Sequence, residues 1–184
     1  MAQLSAVFLD LASVDRDDLD LSRLHRAASP WRTHPRTPPD LTAARIGDAA
    51  VAVTNKVVVD RAVIAACPGL RLVCVAATGT NNVDLDAARE RGVAVCNVTG
   101  YATPSVVQHV FALVLALTTR LAEHAAAARD GRWAASDLFC VLDFPFRELA
   151  GKTLGVVGWG ELGQGVARVA EAFGMTVLVA QRPG

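Results

Sequence analysis

One segment near the end of the chain narrows the possible folds more than any other. Gly158-Trp-Gly-Glu-Leu-Gly163 has the spacing G-x-G-x-x-G. That spacing alone says little, but its flanks give it meaning. Lys152-Thr-Leu-Gly-Val-Val157 reads as a strand, and Gln164 to Phe173 as a helix with Val166, Val169, Ala170 and Phe173 at helical intervals. Met175-Thr-Val-Leu-Val-Ala180 reads as the next strand. Strand, glycine turn, helix and strand in this order predict a dinucleotide-binding βαβ unit. Gly158 suits the tight turn, Gly160 lets backbone approach a diphosphate, and Gly163 lets the helix pack close to the strand. Amides at the start of that helix have no intrahelical partner, and together with the helix dipole they favour an anion.

This motif usually places an acid on the adenosine ribose about 18 residues beyond its last glycine. That place holds Gln181, followed by Arg182. A neutral amide does not repel a ribose 2′-phosphate, and a guanidinium can pair with one. The expected cofactor is therefore NAD or NADP, with these two residues leaning towards NADP. Gln181 retains the ability to bond an unmodified ribose.

Upstream, short apolar runs alternate with helical patterns. Ala6–Leu9, Trp31–His34, Ala50–Thr54, Leu72–Ala76 and Val93–Cys96 read as strands. Helices are expected at Asp17–Leu24, from Thr37-Pro-Pro-Asp40 onward, at Asp60–Ala66 and at Val83–Arg91 with Gly92 as its cap. Leu72–Ala76 is apolar almost throughout, as in a sheet covered on both faces. The alternation predicts an α/β class: a doubly wound parallel sheet over residues 1–98, followed over residues 99–184 by a linking helix and the first part of a Rossmann domain.

The linking helix is expected to start at Thr103 as cap with Pro104 first, and to run to about Arg129. Val106, Val107, Val110, Phe111, Leu113, Val114, Leu117 and Leu121 cover most of its circumference, which predicts burial between two domains. Asp130-Gly131 ends it. Residues 132–149 are irregular and rich in aromatics (Trp133, Phe139, Phe144, Phe146), a composition that suits either a subunit contact or a loop folded on its own domain.

Composition excludes several function classes. There are 18 basic and 18 acidic side chains, so the net charge is zero and no basic field attracts nucleic acid or anionic lipid. Val110–Leu117, the most apolar run, is far shorter than the roughly 20 residues of a membrane span. No cationic segment precedes the first apolar stretch, so no signal peptide is expected and the chain reads as cytoplasmic. Cys67, Cys74, Cys96 and Cys140 form no CxxC pair and predict reduced thiols rather than a metal site.

Ala76-Ala-Thr-Gly-Thr-Asn-Asn-Val-Asp84 follows the strongest strand and precedes a helix, where turn amides can face an anion. Thr78 and Gly79 are the candidates for holding a small carboxylate. Asn55 and Lys56 end a neighbouring strand and could face the same crevice, although a loop lysine is usually just solvated. His25, His34, His109 and His124 show no carboxylate partner in the sequence pattern that would make one a general base.

Together with the glycine motif, four segments carry a resemblance: Thr54-Asn-Lys-Val-Val-Val-Asp60, the 76–84 run, Gly100-Tyr-Ala-Thr103 with Gln108-His109, and Glu148-Leu-Ala-Gly-Lys-Thr-Leu-Gly155. In this order they resemble the D-isomer-specific 2-hydroxyacid dehydrogenase family, in its glycerate dehydrogenase/hydroxypyruvate reductase branch. The resemblance covers essentially the whole chain. It implies a flavodoxin-like substrate domain, a linking helix and a Rossmann domain, a small 2-hydroxy or 2-keto acid as substrate, and a homodimer in which the segment after the linking helix reaches the partner. It implies substrate carboxylate on Thr78 and Gly79, diphosphate on the amides of Glu161 and Leu162, and Thr103 near the cofactor.

The family's catalytic Arg, Glu and His follow the second Rossmann strand, and this sequence ends at Gly184, just past it. No catalytic residue is therefore expected within these 184 residues, and the stretch is expected to be inactive alone as part of a longer enzyme. The alternative is a non-catalytic ligand-binding or regulatory dimerisation module. Among other acids, phosphorylated ones fit worst, because 76–84 offers no Arg.

Overall fold

The computed structural model describes residues 4–180, which divide into two compact units at Thr99/Gly100. In the first, β1 (Ala6–Phe8), β2 (Trp31–Thr33), β3 (Val51–Thr54), β4 (Leu72–Val75) and β5 (Ala94–Cys96) form one all-parallel sheet in the order β2-β1-β3-β4-β5. This is the flavodoxin-like order, in which the winding reverses between β1 and β3. Short helices connect the strands: α1 (Ser22–Ala27), α2 (Thr42–Ile46), α3 (Arg61–Ala66) and α4 (Leu85–Glu90). Asp60 caps α3 by accepting from the Val63 amide at 2.9 Å, and Asp84 caps α4 from the Ala87 amide at 2.8 Å. Val7, Leu9, Ile46, Ile64, Val73 and Val75 are buried at the centre of this unit.

The expected helix at Asp17–Leu24 is displaced to Ser22–Ala27. The acids before and within its expected first turn fold the backbone locally instead. Asp15 accepts from the amides of Asp18 and Leu19, Asp20 from that of Ser22, and Asp17 is left-handed with φ 63°. Short acidic side chains compete with helical bonds in this way. The segment from Thr37 begins with a single 3₁₀ turn at Pro39–Leu41 before α2. Val83 pairs with Val59 rather than opening α4, and Arg91 is the cap with Gly92 beyond it at φ 66°. Nor is β4 covered equally on both faces: Val73 and Val75 are buried, while Leu72 and Cys74 remain half-exposed.

In the second unit, α5 (Thr103–Thr118) and α6 (Leu121–Arg129) are followed by an irregular segment and then β6 (Thr153–Val157), α7 (Glu161–Ala172) and β7 (Thr176–Ala180). β6 and β7 are parallel, with Val156 opposite Val179. The linking helix is not continuous. It bends by 64° between α5 and α6, with Arg120 left-handed at φ 52°. Consecutive threonines account for the break. The Thr118 and Thr119 hydroxyls each donate at 2.7 Å, back to the carbonyls of Val114 and Leu115, and such back-bonding to the preceding turn bends helices. Among the described residues no single helix is long and apolar enough to cross a membrane.

α5 is not buried all round either. Val107 and Phe111 pack with Ala170, Val166 and Val169, whereas Leu113 and Leu117 are exposed. Gly165 makes the close approach of α7 possible, since a Cβ there would stand 2.8 Å from Val107 Cγ2. Phe111 and Phe173 stack with ring centroids 5.5 Å apart. Residues 132–149 contain no helix or strand, as expected. One end folds onto α6: the guanidinium groups of Arg120 and Arg132 lie over the Phe144 ring, and the Phe144 carbonyl meets His124 Nε2 at 3.1 Å. Trp133, Phe139 and Phe146 are exposed, Phe139 at 94 %.

Candidate anion and nucleotide sites

The carboxyl ends of β1, β3 and β4 gather the polar groups of the first unit. Asp10 follows β1 and is buried. Its two oxygens accept the amides of Asn55 at 2.9 Å and Lys56 at 2.7 Å. The backbone beyond β3 is thereby fixed, and the Lys56 side chain stays exposed beside a depression of about 270 Å³ shared with Asp10, Arg36, Thr37 and Pro39. Asn55 turns to the loop after β1, donating from Nδ2 to Ser13 Oγ at 3.1 Å.

The turn beyond β4 is held from the other side. Asn97 Nδ2 donates to the Thr78 carbonyl at 2.7 Å, and the Val98 amide to the Ala77 carbonyl at 3.1 Å. Thr78 and Gly79 are exposed, and among the described residues nothing accepts from their amides. A Cβ at Gly79 would stand 3.1 Å from Asn81 Oδ1, so the turn is tight. Two adjacent unpartnered amides are what a carboxylate needs. Lys56 belongs to the β1–β3 side of the sheet, where it lines the depression with Asp10, Arg36 and Thr37. Sequence reasoning missed Asp10 and Asn97, which position these loops. The signal was present for both, a polar residue directly after an apolar strand, at the edge where such sheets bind ligands.

In the second unit the bend after β6 has the geometry that the glycines require. Gly158 has φ 99°, a region closed to most side chains. A Cβ at Gly163 would lie 2.2 Å from the Gly158 carbonyl oxygen and 3.2 Å from Val156 Cγ1, so only glycine permits α7 to start this close to β6. A Cβ at Gly160 would meet nothing within 4 Å, which leaves the space over the bend clear. The first bond of α7 runs from the Gln164 amide to the Gly160 carbonyl, so the amides of Glu161, Leu162 and Gly163 precede the helical ladder. These residues fit a diphosphate.

Thr103 does not cap α5. Ala102 is the cap, and the Thr103 hydroxyl donates to Glu161 Oε1 at 2.7 Å, drawing that carboxylate sideways at the start of α7. Gln181 and Arg182 lie outside the described residues. Of the histidines, His25 lies against Trp31, His124 bonds a carbonyl, and burial followed by the charges of Arg45 and Arg32 holds His34 below its ordinary pKa. No group of three or more His, Cys, Asp or Glu among the described residues could hold a metal ion.

A flavodoxin-like unit followed by a glycine-bend βαβ element defines a parallel α/β protein, and comparison with known proteins narrows the class. The catalytic-domain pattern of the D-isomer specific 2-hydroxyacid dehydrogenases matches residues 10–176, and the chain belongs to that family. It is similar to the hydroxypyruvate reductase of Blautia hydrogenotrophica (41% identity over 134 residues, 73% of this chain and 42% of that one). It is also similar to the glycerate dehydrogenase of Methylorubrum extorquens (38% over 175 residues, 94% and 54%) and to the glyoxylate reductase of Thermococcus litoralis (37% over 157 residues, 83% and 46%). Among solved structures, a 2-hydroxyacid dehydrogenase from Ketogulonicigenium vulgare superimposes with a TM-score of 0.80 at 29% identity, covering 100% of this chain and 56% of that one. An acyclic imino acid reductase solved with NADPH and D-arginine has the same TM-score, 0.80, at 21% identity, covering 97% and 56%, and so shares the fold. The chain spans about half the length of the curated relatives it matches.

Proposed function

We propose that this chain is the substrate-binding and first nucleotide-binding part of an NAD(P)-dependent oxidoreductase acting on a small D-2-hydroxy acid. The pairs considered are hydroxypyruvate with glycerate, and glyoxylate with glycolate. The reading is carried by the bend at 158–163, where an obligatory glycine brings the free amides of Glu161 and Leu162 to an unobstructed space. In the first unit the exposed amides of Thr78 and Gly79 take the substrate carboxylate, and Lys56 adds positive charge on the neighbouring side. Bound at the bend, NADH or NADPH supplies the hydride that reduces the keto carbon. Arg182 beside the neutral Gln181 favours NADPH.

General acid catalysis and polarisation of the keto oxygen need the Arg, Glu and His of the family pattern, and none of the described residues is assigned those roles. The polypeptide alone is therefore expected to turn over below about a thousandth of the rate of an intact relative. Nucleotide titration by calorimetry and NADPH oxidation with hydroxypyruvate test both halves. Absence of affinity for either nucleotide would overturn the cofactor assignment, and sustained turnover would overturn the inactivity.

The exposed Trp133, Leu138, Phe139, Leu142 and Phe146 favour a homodimer contact by the 132–149 segment. They also favour the second reading, a non-catalytic dimerisation module. Sedimentation separates these from a loop that serves its own unit only, since a strict monomer excludes both.

A further inference from the structure

We propose that Cys74 and Cys96 form a reversible dithiol–disulfide pair at the edge of the first unit's sheet. The two residues stand directly opposite one another in the parallel register of β4 and β5. Side chains alternate along a strand, so both thiols project from the face that carries Leu72 and Ala94. On that face Leu72 and Cys74 are half-buried and Ala94 and Cys96 exposed, whereas Val73 and Val75 on the other face are buried. β5 is the last strand in the sheet order, so among the described residues no strand flanks Cys96 on its outer side.

Neighbouring strands lie about 4.8 Å apart, inside the range of about 4.4–6.8 Å between Cα atoms that a disulfide spans. The usual Cβ separation is nearer 3.8 Å, so side chains standing parallel must lean together, which makes the bond easily reduced. Burial, and after it the charge of Cys96, push the Cys74 thiol above its ordinary pKa, as expected for sulfurs that feel one another. Cys67 is buried against the Ala43 carbonyl, and Cys140 lies in the second unit.

The exposed Cys96 attacks first. Its thiolate displaces one thiol from a small disulfide such as oxidised glutathione, forming a mixed disulfide. The Cys74 thiolate then attacks the Cys96 sulfur and releases the second thiol. The protein loses two protons and two electrons, and the small disulfide gains them. Asn97, the next residue, holds the Thr78 carbonyl, so closing the bond displaces the support of the 76–79 turn. None of this depends on whether the chain binds a nucleotide.

The test is equilibration of the full chain in glutathione redox buffers, followed by maleimide trapping, intact mass and peptide mapping. The expected result is a fall from four alkylatable thiols to two, with a 74–96 cross-linked peptide. Cys67→Ser should leave the cross-link intact, and Cys96→Ser should abolish it. Four alkylatable thiols in oxidising buffer, a Cys96–glutathione adduct as the end product, or a Cys96 bond between two copies would each overturn the proposal. Hydrogen exchange over residues 76–79 should differ between the two redox states, and identical exchange would overturn the link to the turn.

Discussion

Replacing Gly163 by Ala separates a glycine that the fold requires from one that a ligand requires. The new Cβ would sit 2.2 Å from the Gly158 carbonyl oxygen, which is 0.8 Å inside the 3.0 Å that real Cβ atoms respect. The obstructing atoms belong to backbone, so no rotamer change relieves them, and either the bend or the start of α7 must move by about that amount. Overpacking of this kind costs about 1–3 kcal/mol, and rigid neighbours put it at the upper end. Alanine returns about 1 kcal/mol in helix propensity, leaving a net loss of about 2 kcal/mol. With a urea slope of about 1–3 kcal/mol/M, the midpoint should fall by roughly 1 M. Gly160→Ala makes the contrast. Gly160 has φ −79° and ψ −170°, which any residue adopts, and its Cβ would point into empty space. Stability should change by less than about 0.5 kcal/mol, while NADPH affinity should weaken at least about tenfold. Urea titration followed by circular dichroism reads the first effect and calorimetry the second. An unchanged midpoint for Gly163→Ala would refute the packing argument, and unchanged affinity for Gly160→Ala would refute the ligand argument.

Asp10→Ala should cost about 3 kcal/mol in urea unfolding, since it strips the amides of Asn55 and Lys56 of their acceptors at a half-covered site. Asp10→Asn keeps one carbonyl acceptor and should cost less, and equal losses for the two would argue against this role. His34 should titrate below 6.5 in a proton NMR series, because burial, then Arg45 and Arg32, disfavour its charged form. The unfolded chain then takes up that proton first as pH falls. The His34 contribution to stability is complete above pH 6.5 and declines between there and the folded midpoint. His34→Gln should remove that slope, and an unaltered pH–stability curve would contradict the assignment.

How much was legible in advance follows from the range over which each signal acts. The glycine bend is a local device: three glycines, a β-branched strand and a helical stripe all lie within a few residues of the diphosphate space. The same holds for β3, β4 and their capping acids Asp60 and Asp84, so the parallel sheet and its ends were readable from pattern. The errors came where side chains compete with the helical backbone for hydrogen bonds. Asp17, Asp18 and Asp20 looked like favourable first-turn acids, yet short acidic side chains can also close a turn, and periodicity carries no information on which use prevails. The bend between α5 and α6 follows Thr118 and Thr119, whose hydroxyls bond back to the preceding turn, while the apolar stripe continues unbroken through them.

The candidate site shows a second limit. Thr78 and Gly79 could be picked because a glycine turn after a strand is a recognisable unit, but their usefulness depends on Asn97, 19 residues away, holding the Thr78 carbonyl. Lys56 likewise depends on Asp10, 46 residues upstream, which fixes its backbone while leaving its ammonium in solvent. Such supports come from neighbouring parallel strands, and a parallel crossover separates partners by a whole helix. Strand order supplies the pairing. Once β1, β3, β4 and β5 are known to be adjacent, Asp10 faces the loop after β3, and Asn97 faces the turn after β4. The residues that bind are local in sequence, and those that hold them in place are local only in the sheet.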